Sequence, residues 1–213
     1  MQLHLVRHGQ THWNAERRIQ GQLDSTLDPT GREQARALGP TLAALGIGAV
    51  YCSTSERARQ TLALSLGTPP DEVVYRDELR EIRLGVWDGR LWEDVRRDSP
   101  EMVERLRKAS AGFDVEGAES YVDLQRRGVA AIERIIAEEA AEVVLVVSHG
   151  ALIKTVLAHY AAQPLATIRT LPSLPNCARS VLHAKSERRE LSSIADVPFA
   201  TSPWAVVPEP FEP

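Results

Sequence analysis

Short apolar runs alternate with stretches in which apolar positions recur every three or four residues, and each change of period predicts a new element. Leu3-His4-Leu5-Val6 reads as a buried strand that leaves through Arg7-His8-Gly9, where glycine permits a sharp exit. A loop rich in Gln, Gly and Asp follows, to Asp24. Thr30-Gly31-Arg32-Glu33 fits a capping box. It predicts a helix with Ala35, Leu38, Leu42 and Leu45 inward, a kink at Pro40 and a C-cap at Gly46. Ala49-Val50-Tyr51-Cys52 is the second strand. Ser53-Thr54-Ser55-Glu56 is a second capping box, opening a helix through Leu64. Val73-Val74-Tyr75 is a third strand, and Leu79 to Gly89 is an aromatic loop.

Short polar helices are expected between Leu91 and Ala111, then a long helix from Ser120 with Leu124, Gly128, Ala131, Ile132, Ile135 and Ile136 inward. Val143-Val144-Leu145-Val146-Val147 is the clearest strand, and its unbroken β-branched run predicts a central parallel strand buried on both faces. It ends at Ser148-His149-Gly150 and leads into another helix. Ser180 to His183 and Glu190 to Ile194 read as an edge hairpin. Strands alternating with helices predict an α/β fold, a three-layer sandwich with a mostly parallel central sheet flanked by helices. The expected organisation is one domain over 1–196 with a helical lid around 90–118, then a Pro-rich tail over 197–213. In such sheets ligands bind at the carboxyl ends of the strands. His8 and His149, each just past a strand, should therefore converge.

Composition narrows the function classes. A chain of 213 residues, 43% hydrophobic, can bury a full core. A net charge of -4 argues against broad nucleic-acid or membrane-surface binding. Two cysteines, Cys52 and Cys177, make no disulfide framework and read as small core residues on strands. The N-terminal sequence shows no signal-peptide pattern and no apolar run reaches transmembrane length, so the expected location is the cytoplasm. His8 and His12 have the spacing of a zinc pair on a helix, but His8 falls at a strand end with no third ligand nearby, so no metal site is expected.

Arg7-His8-Gly9, then Gln10-Thr11-His12-Trp13-Asn14, then Arg57-Ala58-Arg59-Gln60-Thr61, and finally Ser148-His149-Gly150, in this order, resemble the histidine phosphatase superfamily, which includes the phosphoglycerate mutases. The resemblance runs to about His183 and implies a phosphoglycerate mutase-like fold. It implies that His8 is a nucleophile that carries the phosphoryl group on a ring nitrogen. Arg7, Arg57 and His149 carry over as the rest of the phosphate pocket, with Asn14 and Gly150. Gln20 and Gly21 match a loop covering the site. Two guanidinium forks and a cationic imidazole would stabilise the equatorial charge of a phosphoryl group in transfer. The N-terminus of the helix after His149 would add N–H donors for an anion. The segment Leu79-Arg80-Glu81 to Gly89 resembles the part of the family that holds the acid-base carboxylate, which makes Glu81 the general acid/base.

Arg59 should face elsewhere, and Trp87 fits either the substrate side or the core. The resemblance implies no cofactor, a small phosphorylated metabolite as substrate, and a homodimer as the family's usual state. The Leu79–Gly89 segment is similar to the phosphatase branch, and no basic insertion separates Glu81 from His149 as in mutases. The first expectation is thus a metal-independent phosphomonoesterase. A phosphoglycerate mutase needing a bisphosphate primer, and a non-catalytic binder of phosphorylated ligands, are the alternatives.

Overall fold

A computed structural model describes residues 1–67, 72–110, 112–168, 174–186 and 188–202. In chain order the elements are β1 (Gln2–Arg7), α1 (His12–Ala15), α2 (Pro29–Ala43), β2 (Ala49–Ser53), α3 (Glu56–Leu66) and β3 (Val73–Arg76). They continue with α4 (Trp92–Asp98), α5 (Pro100–Arg107), α6 (Tyr121–Glu138), β4 (Val143–Ser148) and α7 (Gly150–Tyr160). The chain closes with β5 (Arg179–Lys185), β6 (Arg188–Ile194) and the two-residue β7 (Val197–Pro198).

The strands form one sheet in the order β3-β2-β4-β1-β5-β6-β7. β3, β2, β4 and β1 run parallel, and β5, β6 and β7 complete the sheet antiparallel. The expected α/β class is the observed one. β5 and β6 pair as the predicted hairpin, with β7 outside them.

The inner strands bury both faces by alternation. Val6, Val50, Cys52, Leu145 and Val147 pack with Leu42 of α2 and with Ala58 and Leu62 of α3. Leu3, Leu5, Tyr51, Val144 and Val146 belong to the opposite cluster, with α6 and α7. That cluster also takes in Trp87, Val95, Val103 and Leu106. Segment 85–107 is therefore part of the main core. Trp87 is buried and packs edge-on to Phe113 with ring centroids 5.7 Å apart, which resolves its two readings in favour of the core.

Several local expectations are corrected. The cap of α2 is Asp28, whose side chain accepts from the Gly31 N–H at 2.7 Å, with Pro29 at the first helical position. Aspartate followed by proline outcompetes the Thr30 box because the carboxylate reaches the free amides and proline presets the first turn. α2 continues through Pro40, which is exposed, so the lost hydrogen bond falls on the water side. Its C-cap is Ala44, with Gly46 two residues further on at φ +65°. Ser55 occupies the cap position of α3 without a side-chain cap bond, and Ser53 ends β2. Cys177 sits in a turn at φ +61°, not on a strand, whereas Cys52 is buried on β2. Burial pushes both thiols up to about 12. Most of the expected tail, residues 203–213, lies outside the described residues.

Asp28→Ala should lower stability by about 1 kcal/mol, read as a lower urea midpoint at unchanged slope. Thr30→Ala should change it by less than about 0.5 kcal/mol. The reverse order would return the cap to Thr30.

Candidate active site

The register of β1 on β4 pairs Arg7 with Ser148, so the next residues, His8 and His149, emerge side by side at the carboxyl edge. Their ring centroids are 5.2 Å apart. The main chain of His8 is tied down on both sides. Its N–H donates to Ser148 O at 3.0 Å, and its carbonyl accepts from Asn176 Nδ2 at 3.0 Å. Gly9 donates to Thr61 Oγ1 at 2.9 Å, and a Cβ there would stand 2.7 Å from Gly31 O, so glycine lets the α2 terminus close against the turn.

The His8 ring is oriented by one contact. Nδ1 lies 2.7 Å from Gly9 O, a carbonyl that can only accept. Nδ1 therefore carries the hydrogen, and Nε2 keeps the lone pair. His149 is fully buried, with Nε2 2.8 Å from Ser53 Oγ and Nδ1 unpartnered. Ser53, read from sequence as part of a capping box, is thus a neighbour of the site.

Two guanidinium groups surround the histidines. Arg7 donates to Leu174 O. Arg57, with no exposed surface, donates to Leu23 O at 2.8 Å, to Asp24 Oδ1 at 2.9 Å and to Gly21 O at 2.9 Å. The Nε atoms of both arginines are buried without partners. Gly150 lies against Arg7, where a Cβ would be 3.3 Å from Nε.

Glu81 occupies the N-terminus of α7. Its Oε2 accepts from Ala151 N at 3.1 Å, and its Oε1 accepts from Leu152 N at 3.2 Å and Ile82 N at 2.9 Å. The N–H donors expected to meet an incoming anion are therefore taken by this carboxylate, because the 79–82 loop runs directly over the helix start.

A cavity of about 180 Å³ joins these groups, with Arg7, His8, Asn14, Arg57 and Glu81 on its wall. Gln20 and Gly21 also line it. Gln20 Oε1 accepts from Thr11 Oγ1 at 3.0 Å, and Asn14 Oδ1 accepts from Thr11 N at 3.2 Å, closing the cap of α1. His149 and Gly150 stand behind the wall rather than on it. Arg59 is exposed and stacks over Tyr75 at 4.4 Å, and His12 is exposed on α1. Arg18, Trp92, Leu106 and Tyr121 also line the cavity, and none was singled out in sequence. A wider cleft of about 570 Å³ continues outward past Asn14, Arg18 and Trp92.

Electrostatics follow from burial. His8 is held well below the ordinary histidine range, first by burial, then by Arg57 and Arg7. His149 is lowered likewise by burial, Arg57, His8 and Arg7. Burial beside Arg57 and Arg7 thus disfavours the cationic imidazole expected at His149. Two nearby guanidinium groups in a dry site leave no room for a third positive charge.

The family model for the histidine phosphatase superfamily, branch 1, matches residues 3–197. The "Probable phosphoglycerate mutase GpmB" of Yersinia enterocolitica is 30% identical over 96% of this chain and 87% of its own. The metal-independent phosphoserine phosphatase of Arabidopsis thaliana is 30% identical over 93% of this chain and 82% of its own. A mycobacterial glucosyl-3-phosphoglycerate phosphatase, solved with VO3, superposes with a TM-score of 0.80 at 30% identity, covering 89% of this chain and 96% of that one. No helix among the described residues is long and apolar enough to cross a membrane.

The lowered histidines set a pH window. The unfolded chain takes up protons near pH 6.5 and the folded site does not, so stability should fall as pH drops below about 6.5. In an imidazole NMR titration, His8 and His149 should show no transition near that value. Ordinary transitions there would mean the rings are wet.

Proposed function

The chain belongs to the histidine phosphatase superfamily, and from that premise we propose that it is a metal-independent phosphomonoesterase of small phosphorylated metabolites. The observation that carries the proposal is the fixed tautomer of His8: Nδ1–H bound to Gly9 O, and Nε2 left with its lone pair beside two buried guanidinium groups.

The substrate phosphate enters the cavity between Arg7 and Arg57, and its dianion supplies the countercharge they lack. The lone pair of His8 Nε2 attacks phosphorus as the P–O bond to the leaving group breaks. Glu81, carrying a proton on Oε2, gives it to the leaving oxygen. Oε2 is the better placed of the two oxygens because it accepts one backbone N–H where Oε1 accepts two. Glu81 then takes a proton from water, whose oxygen attacks the phosphohistidine. The P–N bond breaks, inorganic phosphate leaves and His8 recovers its lone pair. Ser53 donates its hydroxyl hydrogen to His149 Nε2, which leaves Nδ1–H on a neutral imidazole that backs the His8 ring from behind the cavity wall. Asn14, Gln20 and Gly21 border the same phosphate, Gly21 through its hold on Arg57.

Relatives named for phosphoserine and for glucosyl-3-phosphoglycerate support the phosphatase reading, and relatives named as probable phosphoglycerate mutases keep the mutase as the alternative. They also make phosphorylated hydroxy and amino acids the first substrates to try. The chain is proposed to work in the cytoplasm, with segment 90–118 as the lid of a single domain over 1–196. A homodimer is carried forward as the state to test by size-exclusion chromatography.

Hydrolysis of para-nitrophenyl phosphate should persist in excess EDTA and disappear in His8→Ala. Rapid quench should trap a phosphoenzyme that is labile to acid and stable to alkali. Turnover that survives in His8→Ala, or vanishes with EDTA, would sink the proposal. Phosphoryl transfer to phosphoglycerate without release of phosphate would make the chain a mutase.

A further inference from the structure

Arg127 lies on α6 and is not on the cavity wall. Its half-buried guanidinium grips the 78–83 loop by its main chain. Nη1 donates to Glu78 O at 2.8 Å and to Arg80 O at 2.9 Å, and Nη2 reaches Glu81 O at 3.4 Å. The same group pairs with Glu119 at 2.7 Å, with side-chain exposures of 22% and 12%. Glu119 in turn clasps Arg83, accepting its N–H through Oε1 at 2.9 Å and donating its own N–H to Arg83 O at 2.9 Å.

The loop contacts fall on the main chain of Glu78, Arg80, Glu81 and Arg83, and none touches the Glu81 carboxyl group. A guanidinium bound to backbone carbonyls reads position, not side-chain identity. The fork is also rigid, so it fixes the loop in two directions at once.

We infer that Arg127, held by Glu119, is a positioning residue that sets where the Glu81 carboxyl stands relative to the leaving oxygen. The inference rests on the proposed general-acid role of Glu81. A shift of about 1 Å in a reacting group can cost 100-fold in rate, and the loss should appear only in the step that needs the proton. Nitrophenolate leaves without protonation, whereas an alkoxide does not. kcat/KM reports phosphoryl transfer to His8 alone, because dephosphorylation follows it.

The test measures kcat/KM for para-nitrophenyl phosphate and for glycerol phosphate in wild type, Arg127→Met, Glu119→Gln and Glu81→Gln. In Arg127→Met, the alkyl ester should lose on the order of 100-fold and the nitrophenyl ester less than about 3-fold. Glu119→Gln, nearly isosteric and able to fold should Arg127→Met fail to, should lose in the same ratio to a smaller extent. Equal loss for both esters, or no loss for either, overturns the inference. If Glu81→Gln discriminates between the esters and the other two variants do not, only the positioning role fails. If Glu81→Gln itself does not discriminate, the general-acid reading fails and the inference with it.

Discussion

The buried positive charge of Arg7 and Arg57 is the constraint around which the site is arranged. Taking a guanidinium out of water costs several kcal/mol unless hydrogen bonds and countercharge offset it. Here the offset is incomplete. One carboxylate, Asp24, touches Arg57, Glu81 adds a second negative charge near both groups, and the other hydrogen-bond partners among the described residues are main-chain carbonyls of Gly21, Leu23 and Leu174. Carbonyl dipoles satisfy N–H donors without cancelling a full charge. Burial first, and then the positive field that survives, holds His8 and His149 below the ordinary histidine range. It also gives loop 20–24 its place, because those carbonyls must face inward to satisfy Arg57. A phosphate dianion is the natural complement of such a site, since it brings negative charge and acceptors together.

That charge sits where it does because of strand register. β1 and β4 are parallel with Arg7 opposite Ser148, and β2 pairs with β4 through Cys52 and Val147. Three strands therefore end level at Ser53, Ser148 and Arg7, and the next residues of β4 and β1, His149 and His8, emerge together with Ser53 Oγ 2.8 Å from His149 Nε2. A slip of one residue would turn every inner side chain to the other face. The alternation between the two buried clusters resists such a slip, since it would move Leu3, Leu5, Val144 and Val146 away from α6 and α7. Core packing thus fixes the distance between the two imidazoles.

Much of this was legible in the chain. The long β-branched run of β4 marked the sheet centre, and histidine just past two separate strands implied convergence once the strands were parallel. Arg7, His8, Asn14, Arg57 and Glu81 could be named because the short motifs that hold them, taken together and in order, resemble those of the histidine phosphatase superfamily. What could not be read depends on contacts between distant segments. Ser53 sits in a string of hydroxyl residues that also fits a helix cap, and only its approach to His149 separates the two meanings. Arg127 looks like any polar residue on an amphipathic helix, because it binds carbonyls, which leave no mark in sequence. The neutral state of His149 depends on burial beside two arginines from other elements. The occupation of the α7 N-terminus by Glu81 depends on the path of a loop some seventy positions earlier.

The inner and outer walls of the cavity draw on different parts of the chain. His8, His149, Arg7 and Arg57 are fixed by the ends of inner strands and the start of α3. Trp92, Leu106 and Tyr121, on the outer side of the cavity, come from segment 92–121. That segment is anchored to the loop after Glu81 where Leu84 bridges Ala118, and there a Cβ on Gly85 would stand 1.9 Å from Glu116 O. Val95, Val103 and Leu106 belong to the same apolar cluster as the sheet. The outer wall is thus a packed extension of the core, and its lining can change by substitution at half-buried positions such as Trp92 and Tyr121. The histidines and arginines at the inner wall are shielded from such changes, because their positions are set by the ends of the inner strands and by α3. A fold with this division can keep one reaction while its selectivity is altered from the outside.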